Sequence, residues 1–260
     1  MRRPPAPELA APELAPAAAC LTCCGPTARR FAHCFACRAV SRALNLPLSP
    51  VLPAHMCPVP GPLYRMLMGY KEAPVDELRR HYSRSVEDSF STFIAEHVAC
   101  LTVALGGSVD LVVLVPSSSR PGRASLECAE GLAERVVSAL GPGARWLPSA
   151  LQRARGDIGP MRPNALAYVV PGSCRPDVRG SRVLLLDDVY VSGSRAQSAA
   201  AALRLSGART VLVVPLGRVV RPERFATHAA FVATSGTRNG HEARCVMVQR
   251  GIDQAGAGSE

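Results

Sequence analysis

Arg182-Val-Leu-Leu-Leu-Asp-Asp-Val-Tyr-Val-Ser-Gly-Ser-Arg195 is the stretch on which the reading of this chain turns. Val183 to Leu186 is an unbroken apolar run, as expected of a strand covered on both faces of a parallel sheet. Asp187 and Asp188 stand where that strand should end, and Val191-Ser192-Gly193-Ser194-Arg195 makes a turn of small residues. Ala196 to Leu205 then reads as a helix, stopped by Ser206-Gly207. Strand, turn and helix N-terminus together make an anion cup. The first N–H groups of a helix lack internal partners, and the helix dipole favours negative charge there. Gly193 lets a phosphate approach the backbone. Ser192 and Ser194 add hydroxyl donors. Carboxylates do not bind phosphate but accept from hydroxyls, so Asp187 and Asp188 suit a pair of sugar hydroxyls beside it.

The chain on either side extends the pattern. Val109 to Val115 is a second buried strand, running into Pro116-Ser-Ser-Ser-Arg-Pro-Gly-Arg123. Ser117, Ser118, Ser119 and Arg120 are the candidate pyrophosphate ligands there, because guanidinium groups match phosphate oxygens bidentately. In an open parallel sheet, ligands bind beyond the carboxyl ends of the strands, so both loops should share one rim. Leu126 to Leu140 is an amphipathic helix ended by Gly141-Pro142-Gly143. Arg145–Leu147, Ala165–Val170, Thr210–Leu216 and Arg244–Val248 read as further strands. Strands and helices alternating from Val109 onward predict an α/β fold with a doubly wound parallel sheet over residues 108–250.

Upstream, prolines make residues 46–62 a linker, and residues up to 107 complete a helical hood. Pro62 onward starts with a helical pattern carrying Tyr70 and Lys71, and Asp88 to Leu105 is a clearer helix. Lys71 is the only lysine; it reads as a solvated surface residue, although it and Tyr70 could reach a ligand.

Residues 19–45 carry Cys20-x-x-Cys23 and Cys34-x-x-Cys37, with Cys24 and His33 adjacent. Paired knuckles at this spacing read as a structural four-thiolate zinc site built from Cys20, Cys23, Cys34 and Cys37, with Cys24 or His33 as substitute ligands. The ten cysteines come without a secretion signal or a run long enough to span a membrane, which predicts a reduced, cytoplasmic protein. Net charge is +10, carried almost wholly by arginine, which suits acidic partners but equally reflects composition bias. Residues 1–18 and 251–260 read as disordered tails. There is no Gly-x-x-x-x-Gly-Lys loop and no His-Glu-x-x-His pair, which argues against a P-loop NTPase and a zinc protease.

Four apolar residues, two acids and a small phosphate loop resemble the ribose-phosphate motif of type I phosphoribosyltransferases. With the cysteine knuckles, the helical segment Leu63–Lys71, Arg153-x-Arg155, and Arg162-x-Asn164 with Tyr168, the chain resembles the ComF family of competence-associated proteins over roughly residues 19–220. The resemblance implies that Asp187 and Asp188 hold the ribose of phosphoribosyl pyrophosphate, that Val191 to Arg195 hold its 5′-phosphate, and that Mg²⁺ accompanies it. Tyr190 stands where the family has an aliphatic residue, and Val191 and Ser192 stand where threonines are common. Three outcomes stay open: transfer of the phosphoribosyl group to an unidentified acceptor; a non-catalytic accessory role in DNA uptake or single-stranded DNA handling, with competence proteins as partners; or a non-catalytic sensor that binds phosphoribosyl pyrophosphate and controls a partner.

Overall fold

A strand with no polar face has to be covered on both sides, and the centre of the molecule is built that way. The computed structural model describes residues 19–28, 30–117, 126 and 131–235. Five parallel strands form the sheet: β1 (His55–Pro58), β2 (Leu111–Leu114), β3 (Arg145–Trp146), β6 (Arg182–Tyr190) and β7 (Thr210–Val220), in the order β1-β7-β6-β2-β3. Side chains alternate across it. Val112, Leu114, Leu184, Leu186, Leu212 and Val214 pack on one face beneath α2 (Pro62–Glu72), α3 (Asp76–Leu105) and α4 (Leu132–Leu140). Leu111, Val113, Val183, Leu185, Val211 and Val213 pack on the other, against α6 (Ser194–Leu205), Val178 of the short α5 (Arg175–Val178) and the four knuckle cysteines, of which Cys37 lies on α1 (Phe35–Leu44). The molecule is thus an α/β protein with helices on both faces of a parallel sheet.

The chain runs from β2 outward to β3 on one side, then returns to lay down β6 on the other side of β2. Strand order therefore reverses between β2 and β6, the position at which open α/β sheets leave a crevice at their carboxyl rim. β2 pairs with β6 only as far as Leu114 opposite Leu186. β6 continues through both acids to Tyr190, supported by β7 alone, with Asp187 opposite Pro215 and Tyr190 opposite Arg218. That is why the strand outlasts its apolar run: one neighbour stops and the other goes on.

Besides α4, which starts at Leu132 and not at Leu126, and β7, which runs on past Leu216 to Val220, three segments differ from their sequence reading. Within the proline-rich stretch read as a linker lies β1, an edge strand beside β7, where Pro58 can sit because an edge position leaves its missing N–H unneeded. The helix expected from Asp88 starts twelve residues earlier, at Asp76, and bends at His97, whose φ/ψ is non-helical. Ala165–Ala167 coils into a 3-10 turn because the Asn164 side chain accepts from the Leu166 N–H; only Tyr168–Val169 (β5) is extended, pairing antiparallel with Gln152–Arg153 (β4) outside the main sheet. The strand expected at Arg244–Val248 and both terminal tails lie outside the described residues. No helix among the described residues is long and apolar enough to cross a membrane.

Candidate functional site

β6 delivers the acid pair to the rim, and pleating sends the two side chains to opposite faces. Asp187 joins the face of α6 and lines a cleft of about 210 Å³ with Val191, Ser192, Gly193, Ser194 and Arg195. Ile158, Gly159 and Pro160 close its outer wall. Asp188 turns towards the hood, where Lys71 Nζ lies 2.5 Å from its Oδ2 and the Tyr70 hydroxyl donates to the same oxygen. Lys71 is therefore not the solvated residue expected from sequence: its side chain is 18 % exposed, and α2 lays it across the rim.

Burial raises the pKa of Asp187 to about 7, and the charge of Asp188 adds to the rise; Lys71 and Arg195 oppose it. Its Oδ1 accepts from the Asp188 N–H at 3.0 Å. A carboxyl poised near neutrality and facing an anion cup can exchange hydrogen bonds with hydroxyl groups in either protonation state.

Gly193, at φ +84°, makes the cup possible. A Cβ there would lie 2.1 Å from the Tyr190 hydroxyl oxygen, so the tyrosine fills the space that a side chain would need. The Ser192 and Ser194 hydroxyls lie 3.1 Å apart, and the Ser194 N–H reaches Ser192 Oγ at 3.4 Å. α6 begins at Ser194, placing its first N–H groups at the cup. Tyr168 on β5 is held by Arg153, whose Nη1 donates to the tyrosine hydroxyl at 3.4 Å. The Asn164 N–H is anchored to Ser198 Oγ on α6 at 2.8 Å. The acids and the turn Val191–Arg195 thus share one rim. Ser117 follows β2 at the same rim, whereas Ser118, Ser119 and Arg120 lie outside the described residues.

The cysteine knuckles form a second centre. Cys20, Cys23, Cys34 and Cys37 are all buried, and their sulfurs lie within 4.8 Å of one another. Cys23 and Cys34 sulfurs are 3.8 Å apart, close to the edge of a tetrahedron with Zn–S bonds of about 2.3 Å. Backbone donors support the thiolates: the Cys34 N–H reaches Cys20 Sγ at 3.2 Å, and the Cys37 N–H reaches Cys34 Sγ at 3.5 Å. The four residues fit a metal such as zinc. Cys24 points elsewhere, donating to the Val51 carbonyl at 3.4 Å, and His33 Nδ1 is engaged with Thr22 Oγ1 at 2.9 Å. Neither stands in for a named ligand.

Sequence reasoning missed Arg218. It sits on β7, is 4 % exposed, and contacts both centres. Its signal was available: an arginine near the end of the otherwise apolar run Thr210–Val220. No family model matches the chain, and no curated protein matches it.

Proposed function

We propose that the rim cleft binds phosphoribosyl pyrophosphate or a closely related sugar phosphate together with Mg²⁺. The observation that carries the reading is a single cleft lined both by Asp187 and by the whole turn Val191–Arg195. The 5′-phosphate would meet the Ser192–Ser194 backbone and the α6 N-terminus, and Asp187 would accept from a ribose hydroxyl. Asp188 would serve the ribose once Lys71 and Tyr70 yield, or would hold the hood closed over it. Mg²⁺ would be carried chiefly by the ligand's own phosphate oxygens, as a hard cation usually is. Transfer to an acceptor would proceed by loss of pyrophosphate from the anomeric carbon, with the acids near the developing positive charge.

Titration calorimetry with phosphoribosyl pyrophosphate and Mg²⁺ tests this. Binding should weaken by about 1–3 kcal/mol in Asp187→Ala, the usual scale for a hydrogen bond to a charged group. Equal affinity in the wild type and the variant would remove the acid from the sugar site. Binding without pyrophosphate release, whatever the acceptor, would make the protein a sensor.

A second reading rests on a different feature. Thr22, His33, Cys37, Arg38, Ser41 and Arg42, with Pro47 and Leu48, line a cleft of about 440 Å³ that contains no carboxylate. Arg38 Nε is buried there without a hydrogen-bond partner among the described residues, and its guanidinium lies 4.0 Å over the Phe31 ring. Such a surface suits the phosphates of single-stranded DNA. Binding of a short oligonucleotide that falls steeply with salt and is lost in Arg38→Ala would support it. Indifference to DNA at low salt would discard it.

A further inference from the structure

Arg218 is a buried cation with an unusual set of partners. Its Nε donates to Cys23 Sγ at 3.4 Å. Its Nη1 donates to the carbonyls of Tyr190 at 3.3 Å, Val191 at 3.0 Å and Val219 at 2.6 Å. Its guanidinium also lies 5.3 Å from the centre of the Tyr190 ring. Among the described residues no carboxylate pairs with it, and the negative charge it touches is that of the cysteine cluster, through Cys23. A buried guanidinium needs such a source. Both sides of the arginine are fitted to it. In the knuckle, a Cβ on Gly25 would lie 2.8 Å from Arg218 Nε. In the cup, Tyr190 occupies the space beside Gly193, and Val191 opens the phosphate turn.

We propose that Arg218 is a positioning residue that couples metal occupancy of the four-cysteine site to the shape of the phosphate cup, so that metal and sugar phosphate bind cooperatively. Metal-bound thiolates hold the guanidinium at the Cys23 end. The same guanidinium fixes the Tyr190 and Val191 carbonyls from which the cup departs. An ordered cup costs less to occupy, and by linkage an occupied cup must tighten the metal site by the same factor. The ligand arm of this inference rests on the sugar-phosphate reading above; the mechanical link does not.

The test uses the full zinc-loaded chain, with Arg218→Gln and Arg218→Lys. Chelator competition measures zinc affinity with and without saturating phosphoribosyl pyrophosphate and Mg²⁺. Hydrogen exchange follows the amides of residues 190–195, with β2 and β6 core amides as the folding control. In the wild type, ligand should tighten zinc about 5-fold or more, within the usual range of coupling between sites. In Arg218→Gln that factor should fall to about one. In the same variant, still holding zinc, exchange across residues 190–195 should rise several-fold while the core amides stay put. Arg218→Lys keeps the charge but not the forked geometry, and should retain little of the coupling.

Ligand binding with unchanged zinc affinity in the wild type would overturn the proposal, as would full coupling in Arg218→Gln. Absence of any ligand binding would sink the sugar-phosphate reading instead. Exchange then decides the link alone, and unchanged protection of residues 190–195 in Arg218→Gln would overturn it.

Discussion

Two adjacent aspartates carry opposite assignments because a strand sends neighbours to opposite faces. Asp188 is held by Lys71 and Tyr70, whereas Asp187 is left against the cup with a pKa lifted to about 7 from an ordinary 3.8. The lift favours the protonated form in the folded chain, so the stabilisation it brings is fully present below about pH 4. It is lost as pH rises through about 7, because the unfolded chain releases the proton more readily. Asp187→Asn has no proton to lose. Its stability relative to the wild type should therefore climb between pH 4 and pH 8, by on the order of 1–3 kcal/mol at about 1.4 kcal/mol per unit, allowing for solvent screening of a half-buried group. Urea unfolding at pH 4, 6 and 8 measures it; a difference independent of pH would mean that Asp187 is ionised throughout. The acid pair itself was legible, since two carboxylates at the end of an apolar run stand out in any reading. Their division of labour was not, because it depends on Lys71 crossing to residue 188 from a helix more than a hundred residues earlier.

At the scale of elements, α6 does more than border the rim cleft. Its Gln197 is 1 % exposed; Oε1 accepts from the Ser49 N–H and Nε2 donates to the Ser49 carbonyl, both at 2.9 Å. That pair pins the segment leading into β1 and stands in for a strand partner that residue 49 lacks. Gln197→Ala would leave two buried backbone groups unpaired, at about 1–3 kcal/mol each, so a loss of at least ~2 kcal/mol is expected in denaturant unfolding. Ser49→Ala is the contrasting case. The Ser49 hydroxyl is buried with no partner among the described residues, so its removal should be neutral or stabilising. Equal losses in the two variants would show that the side chain of residue 49, and not its backbone, matters. β2, β6, α6 and β7 were readable because continuous apolar runs and an alanine-rich helix are local signals. β1 was not: His55-Met-Cys-Pro58 has no strand periodicity, and what makes it a strand is the exposed edge of β7 and the pinning of residue 49 by a glutamine 148 positions away.

Across the whole molecule, the cysteine knuckles do not form a unit apart. Cys20, Cys23, Cys34 and Cys37 belong to the same buried cluster as Val183, Leu185, Val211, Val213, Ala199 and Leu203. Val51 bridges directly to Val213, and Cys24 reaches Val51. A metal site sharing its core with the sheet should lend its binding energy to the whole fold. Structural zinc is worth about 10–16 kcal/mol in isolated zinc-finger peptides, and a fraction near 5 kcal/mol appearing as folding stability would move Tm by roughly 10 °C or more at about 2–4 °C per kcal/mol. Trp146, the only tryptophan, reports on this from the far edge of the sheet: it lies on β3, whereas the knuckles lie nearest β6 and β7. Melting the zinc-loaded protein with and without a chelator, followed by far-UV circular dichroism and by Trp146 fluorescence, should give a single transition in each state. Both probes should shift downward together when the metal is withdrawn. A Trp146 transition that stays in place while part of the dichroism melts early would show instead that the knuckles unfold on their own, leaving the sheet and its rim intact without metal.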